Sequence, residues 1–206
     1  METKYVYPIY DKIATQFNIT RQYNYWNSVK TFLDILPKYS VIADIGCGNA
    51  KYMKYVKQFR KDIVIIGNDT CNNLLILAQE NNLIQANALN LPYKNNTFDA
   101  IISIAVLHHV FYITDHIQFI DEIIRCLIYK AKALIVVYAY EQQINPKWKH
   151  IGPRKNDYLI PWSDKGDRYY YLFSYDEIKA LFDNTNVIIE KIYFEMDNWC
   201  VIIQKC

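Results

Sequence analysis

A short β-branched run that closes on a carboxylate and then breaks into glycines constrains this chain most: Val41-Ile42-Ala43-Asp44-Ile45-Gly46-Cys47-Gly48-Asn49. Parallel strands buried on both faces read as continuous apolar runs. Glycines directly after such a run permit a sharp turn and a close approach of the backbone to a ligand. The pattern predicts a helix over Lys51 to Phe59, giving the order strand, glycine loop, helix N-terminus. That order suits a nucleotide or nucleoside. The bland alternative is an ordinary tight turn.

The loop is not a phosphate cradle. No Gly-x-x-x-x-Gly-Lys-Ser/Thr string follows, and Ala50 stands where a dinucleotide fingerprint needs its third glycine. Asp44 precedes the first glycine, where a carboxylate repels pyrophosphate and attracts a cation. S-adenosylmethionine carries a sulfonium and an ammonium and no phosphate.

The following strands converge on the same crevice. Ile63 to Asp69 is a second apolar run ending in an acid. Asp69 lies about 20 residues past the glycines, the spacing at which this architecture places a carboxylate on ribose hydroxyls. Capping of a helix from Cys71 to Glu80 competes for the same side chain. A third strand end falls at Ile84 to Leu89, where Asn87 can accept from an adenine amino group. A fourth strand, Phe98 to Ile104, runs into Ala105-Val106-Leu107-His108-His109. Ligands of open α/β sheets sit outside the carboxyl ends of the strands. The pattern resembles the seven-stranded Rossmann-like S-adenosylmethionine-dependent methyltransferases. The resemblance implies a cofactor site made by Asp44, Gly46, Cys47, Gly48, Asp69, Asn87, Ala88, Leu89 and Ile104.

At 206 residues, 52% apolar and 21% charged, the chain has the size and composition of one globular domain with a sizeable core. Its net charge of +2 neither requires nor excludes nucleic acid. Five cysteines with no Cys-x-x-Cys give no disulfide framework and no zinc site, and they read as reduced small hydrophobes. Met1 to Tyr10 is no secretory leader, and no apolar run reaches the ~20 residues of a spanning helix. A soluble cytoplasmic or nuclear protein is expected, with no membrane partner.

Helices are expected at Tyr5 to Phe17 and Asn24 to Leu36, separated by a polar break at Asn18 to Tyr23. Further helices fall at Thr114 to Leu127 and Ser174 to Phe182, the last opened by a Ser174–Glu177 capping box. A fifth strand is expected at Ala133 to Tyr140. Alternation of this kind gives a parallel sheet with helices on both faces. Val187 to Tyr193 and Trp199 to Gln204 read as a C-terminal antiparallel hairpin. Gln143 to Arg168 reads as the least structured stretch, with basic residues and Trp148, Tyr158 and Trp162 interleaved, as in segments that hold phosphates and stack bases.

Methyl transfer from a sulfonium is an in-line displacement that needs chiefly a positioned nucleophile. No Asn-Pro-Pro-Tyr follows the fourth strand, and no Pro-Cys occurs. Oxygen, carbon and carboxylate acceptors stay open. A carboxylate is already ionised at neutral pH and needs no general base.

A narrower resemblance runs nearly end to end. It takes in Tyr5-Val6-Tyr7 with Tyr10 and Ile13-Ala14, Thr20-Arg21 with Trp26, and Asp44 to Asn49 with Lys51-Tyr52. It continues through Leu89-Asn90-Leu91-Pro92, Phe98-Asp99, Ile102 to Val106 with His108-His109, and Glu141-Gln142. It closes on Pro161-Trp162, Tyr169-Tyr170 with Leu172-Phe173, and Asp197-Asn198-Trp199. By these strings the chain resembles the eukaryotic tRNA wobble-uridine carboxymethyl methyltransferases, which convert 5-carboxymethyluridine into its methyl ester.

The resemblance implies one domain over 1–206. Helices in 1–37 cover the site, 38–142 binds cofactor, 143–168 is a substrate loop, and 169–206 holds the last helix and hairpin. It implies that Arg21 pairs with the substrate carboxylate or a phosphate, and that His109 hydrogen-bonds the acceptor while His108 is structural. Trp162 and Arg168 hold the tRNA anticodon arm, and Asp197, Asn198 and Trp199 form a turn over the substrate mouth. It also implies a small zinc-binding activator subunit that pairs with an exposed third-strand edge near Leu83 to Ala86, and poor solubility without it.

Departures from the family pattern are Ala50, Asn87 and Ala88 in the cofactor region, Tyr129 to Lys132 in place of a Pro-Gly-Gly turn, and a short basic insert. They leave two alternatives in view: a methyltransferase for a small carboxylate or oxygen acceptor, and a cofactor-binding scaffold subunit without activity.

Overall fold

A computed structural model describes residues 1–22 and 24–206. In chain order the elements are α1 (Glu2–Tyr5), α2 (Tyr7–Thr20), α3 (Asn27–Asp34), β1 (Val41–Ile45), α4 (Lys51–Phe59), β2 (Val64–Asp69), α5 (Asn72–Ala78) and β3 (Leu83–Gln85). They continue with β4 (Phe98–Ile104), a 3-10 turn at Leu107–His109, α6 (Ile113–Cys126), β5 (Leu127–Tyr138), β6 (Lys149–His150), β7 (Asp157–Pro161), β8 (Asp167–Tyr171), α7 (Tyr175–Ala180), β9 (Val187–Glu195) and β10 (Asn198–Lys205).

Strand side chains alternate with period two. In β5, Ala133, Ile135 and Val137 enter one apolar cluster while Leu134 and Val136 enter another. In β1, Ile42 goes one way and Ala43 and Ile45 the other. With both sets apolar, both faces of the sheet must be covered. α3 and α4 cover one face through Val29, Phe32, Leu33, Met53 and Val56. α6 and α7 cover the other through Phe119, Ile120, Ile123 and Ile178.

The seven strands run in the order β3-β2-β1-β4-β5-β10-β9. β1 through β5 pair in parallel, while β10 inserts antiparallel between β5 and β9. The chain leaves β1 toward one edge and returns at β4 toward the other. The crevice above β1 and β4 is therefore the topological switch point, where such sheets bind ligands.

The strand–loop–helix at 41–59, the fourth strand and the C-terminal hairpin lie where the sequence places them, and β3 is an edge strand as expected. Other expectations need correction. The first helix breaks at Val6, whose φ of −121° and ψ of −73° are not helical, and α2 runs on to Thr20 into the expected polar break. Tyr23, the last residue of that break, lies outside the described residues. β5 starts at Leu127 rather than Ala133, because the β4–β5 register slips between Phe98 and Ala100, with Lys130 at a φ of +63°.

The largest difference is at 143–168, which is no open loop. β6, β7 and β8 form a second, antiparallel sheet there. Asp157, almost fully buried, anchors it by accepting from Tyr169 Oη at 2.7 Å and Arg154 Nε at 2.7 Å. Charge density hid the apolar pairs Leu159–Tyr169 and Tyr158–Tyr170 that build the ladder. Among the described residues no helix is long and apolar enough to cross a membrane.

The Ser174 capping box is present. Ser174 Oγ accepts from the Glu177 amide, and Glu177 accepts from the Ser174 amide at 2.9 Å. Ser174→Ala is expected to cost about 1 kcal/mol and to lower the calorimetric melting temperature by roughly 2–4 °C for a chain of this size.

Candidate active site

A cavity of about 470 Å³ opens at the switch point. Its floor is the glycine loop. Gly46 has a φ of +73°, and a Cβ there would lie 2.4 Å from a Val106 methyl. Gly48 has a φ of +54°, so both positions use the left-handed freedom of glycine. Ala50 also sits left-handed, at a φ of +56° on the N-cap of α4, where an L side chain is strained. The missing glycine is thus tolerated rather than replaced by another backbone path.

Two carboxylates, one buried and one half-buried, face the cavity. Asp69 accepts from the Gly48 amide at 2.8 Å and from the Cys71 amide at 2.8 Å, so it ties the loop to α5 and also lines the cavity. The capping and ligand readings of Asp69 are compatible. Asp44 is 2% exposed, and its carboxylate has no hydrogen-bond partner among the described residues. Burial, and then the nearby Asp69 charge, push it up to about 7, against the opposing pull of Lys51. Asn87, Ala88 and Leu89 line the far wall, with Asn87 Oδ1 accepting from the Leu89 amide at 2.9 Å. A carbonyl oxygen has a second lone pair, so that oxygen can still accept from a ligand. Cys47 and Ile104 complete the expected cofactor set along the wall.

The opposite end is aromatic and basic. His109 Nδ1 lies 2.7 Å from the Tyr169 carbonyl oxygen, which can only accept, so Nδ1 carries the proton. Nε2 is then an acceptor, and Tyr10 Oη donates to it at 2.8 Å. The Tyr10 oxygen in turn accepts from Arg168 Nη1 at 3.2 Å. Burial pushes His109 down to about 3, with the Arg168 charge adding to it and the Tyr169 hydrogen bond opposing. The imidazole is therefore neutral. Both of its nitrogens are held by protein, which corrects the expectation that His109 hydrogen-bonds the acceptor itself. His108 accepts from the Tyr138 amide at 3.2 Å and stacks on Tyr170 at 4.8 Å, the structural role expected of it.

Trp162 meets two guanidinium groups, Arg168 at 4.7 Å and Arg21 at 5.3 Å from its ring centre. Its indole N–H donates to Gln16 Oε1 at 3.2 Å, tying the second sheet to α2. Arg21 is exposed at the rim. Arg168 was expected to hold the anticodon arm from a loop. It lies instead within β8, 8% exposed, and lines the cavity.

The C-terminal turn is corrected in part. Met196 and Asn198 line the cavity, whereas Asp197 and Trp199 do not. Strand alternation sends Trp199 away from Asn198, and its indole donates to Glu141 at 2.8 Å. Asn198 is 3% exposed, and its amide nitrogen donates to the Met196 carbonyl oxygen. Its Oδ1 has no partner among the described residues.

Sequence reasoning gave no role to Tyr10, Tyr138, Tyr170 or Lys51, all of which line the cavity. In a chain with 19 tyrosines no single one stood out.

The sequence is 34% identical to the tRNA (carboxymethyluridine(34)-5-O)-methyltransferase of Schizosaccharomyces pombe, over 99% of this chain and 97% of that protein. The chain belongs to that family. Residues 43–135 match the family described as "Methyltransferase domain". The Xenopus tropicalis enzyme of the same activity name is 31% identical over all of this chain, which spans 41% of that longer protein. A SAM-dependent methyltransferase structure from Methanosarcina mazei superposes with a TM-score of 0.72, at 18% identity, covering 88% of this chain and 98% of that one. A Haloferax volcanii methyltransferase solved in complex with the Trm112 methyltransferase activator superposes with a TM-score of 0.72, at 12% identity, covering 97% of each. At those identities the structures speak to the fold, a seven-stranded Rossmann-like methyltransferase.

S-adenosylmethionine is the cofactor of this family fold, and the residues fit it. The Asp44 carboxylate is unpaired, strained by its neighbour, and relieved by a cation. The glycines keep the floor open beside it, and Asp69 and Asn87 offer acceptor oxygens along the walls. Because Asp44 keeps its proton up to about pH 7, binding of a cation beside it must expel that proton at lower pH. Cofactor affinity is therefore expected to rise about eightfold from pH 6 to 7.5. Calorimetric titration of Asp44→Asn should show weaker binding with that rise removed.

Proposed function

We propose that this chain methylates the carboxylate of 5-carboxymethyluridine at the wobble position of tRNA, giving the methyl ester. Family membership supports this, and so does one observation above the others: a cavity with a buried acid and a half-buried one at the cofactor end and a buried guanidinium at the acceptor end. When bound, S-adenosylmethionine supplies a methyl whose carbon leaves sulfur for a carboxylate oxygen, with no proton to move. The chain's own task is binding and alignment. Asp44, Asp69 and Asn87 orient the adenosyl and amino-acid parts of the cofactor. Met196 and Asn198 close over the acceptor, where Asn198 Oδ1 is free to accept from the ring N–H of a uracil. His109 serves as a positioning residue through Tyr10. Arg21 and Trp162, at the rim, meet the anticodon arm.

The chain acts as one methyltransferase unit, and the exposed edge of β3 takes a small zinc-binding activator. Exposed Val64, Ile76 and Ile84 lie on or beside that edge. Apolar edge strands invite pairing, and the Haloferax relative in fold was solved with the Trm112 methyltransferase activator. The small-acid and scaffold readings are disfavoured, since the residues named for both ends of the reaction remain in one cavity.

The test is transfer from labelled S-adenosylmethionine by the chain purified with an activator subunit. Base-labile label on the wobble uridine of tRNA lacking the ester is expected. Label only on free carboxylic acids, or cofactor binding without transfer, would sink the proposal.

A further inference from the structure

Arg168 is a buried cation without a counter-ion. It is 8% exposed, and no carboxylate among the described residues lies within salt-bridge distance of it. Among the described residues its guanidinium makes one hydrogen bond, from Nη1 to Tyr10 Oη, and its Nε is buried with no partner. Ring faces of Trp162, Tyr170 and Tyr10 lie 4.7, 5.0 and 5.8 Å from its centre. Aromatic faces offset part of the charge, but they accept nothing along the guanidinium edge. Nε and Nη2 share the edge away from Nη1, and two parallel N–H donors there match a carboxylate.

The neighbours point the same way. Because the Tyr169 carbonyl fixes the His109 proton on Nδ1, the Tyr10 proton is committed to Nε2. Tyr10 then has only lone pairs to offer and holds Nη1 of Arg168 in place. A carboxylate also has only lone pairs, so neither Tyr10 nor His109 can grip it. Arg21, by contrast, is exposed, and its guanidinium donates to its neighbour's carbonyl, Thr20 O, at 3.4 Å. A rim cation is screened and discriminates little between acceptors; it suits a phosphate.

Building on the proposed function, we propose that Arg168, not Arg21, is the group that grips the acceptor carboxylate, through its free Nε–Nη2 edge, and so sets the preference for an acid. The single negative charge of the acceptor would be held by the guanidinium, with its second lone-pair edge left for the methyl donor. A neutral amide in its place would turn donors toward donors.

The experiment uses the chain with its activator, loaded with S-adenosylhomocysteine, and titrates 5-carboxymethyluridine against 5-carbamoylmethyluridine by calorimetry. Wild type is expected to prefer the acid by about 30-fold or more, and Arg168→Gln by no more than about threefold. Arg168→Lys keeps the charge without the fork and is expected to fall at least about fivefold in preference, with cofactor affinity within about twofold. Arg21→Gln should bind both nucleosides while keeping most of the preference. The proposal is overturned if Arg168→Gln keeps the preference, or if Arg21→Gln loses it. It is also overturned if Arg168→Gln loses S-adenosylhomocysteine yet still binds methylthioadenosine, since the anion would then be the cofactor's own. Should Arg168→Gln fail to fold, an unchanged preference in Arg168→Lys still refutes it. If wild type instead takes small acids lacking a pyrimidine, in an Arg168-dependent way, the wobble-uridine reading falls and the grip stands.

Discussion

One backbone carbonyl sets the hydrogen-bond polarity of the acceptor end. Tyr169 O can only accept, so His109 must donate from Nδ1, Tyr10 must donate to His109, and Arg168 must donate to Tyr10. The direction of each bond follows from the first. Tyr169 is itself fixed, because its hydroxyl donates to the buried Asp157 that organises the second sheet. The β6–β8 sheet is therefore more than a covering. It delivers, through a main-chain oxygen, the tautomer on which the arrangement of the cavity depends.

The two ends of the cavity carry opposite electrostatic debts. Near the glycine loop a buried and a half-buried carboxylate repel each other, and at the far end a guanidinium is buried with no anion among the described residues. Taking an unpaired charge out of water costs several kcal/mol. Asp44 relieves its share by keeping a proton up to about pH 7. Arginine has no such recourse, since it stays charged at any physiological pH. In the proposed reaction a cation meets the first end and an anion the second, so each unpaired charge becomes a source of selectivity.

The sheet core and the cofactor loop were legible because local chemistry writes them: apolar runs, glycines at positive φ, an acid at the ends of the first two strands. Boundaries moved where tertiary contacts override local preference, as at Val6 and at Lys130. The acceptor end was read less well for a physical reason. Arg168 was read as a loop residue holding the anticodon arm, and only the pairing of β7 with β8 places it in a strand, buried in the cavity wall. The Asp-Asn-Trp string was read as a unit, yet strand alternation splits it, sending Asn198 to the cavity and Trp199 to Glu141. The family resemblance named the residues; the three-dimensional structure decides which of them can still accept or donate.

The antiparallel insertion of β10 has a further reach. The last strand along the chain lies beside β5, inside the sheet rather than at its rim, and its first residue walls the cavity. During synthesis the glycine loop and its neighbouring strands emerge long before Asn198 does. The cavity wall is therefore completed by the chain's last strand, and Asn198 reaches its place only when the C-terminal hairpin pairs with β5.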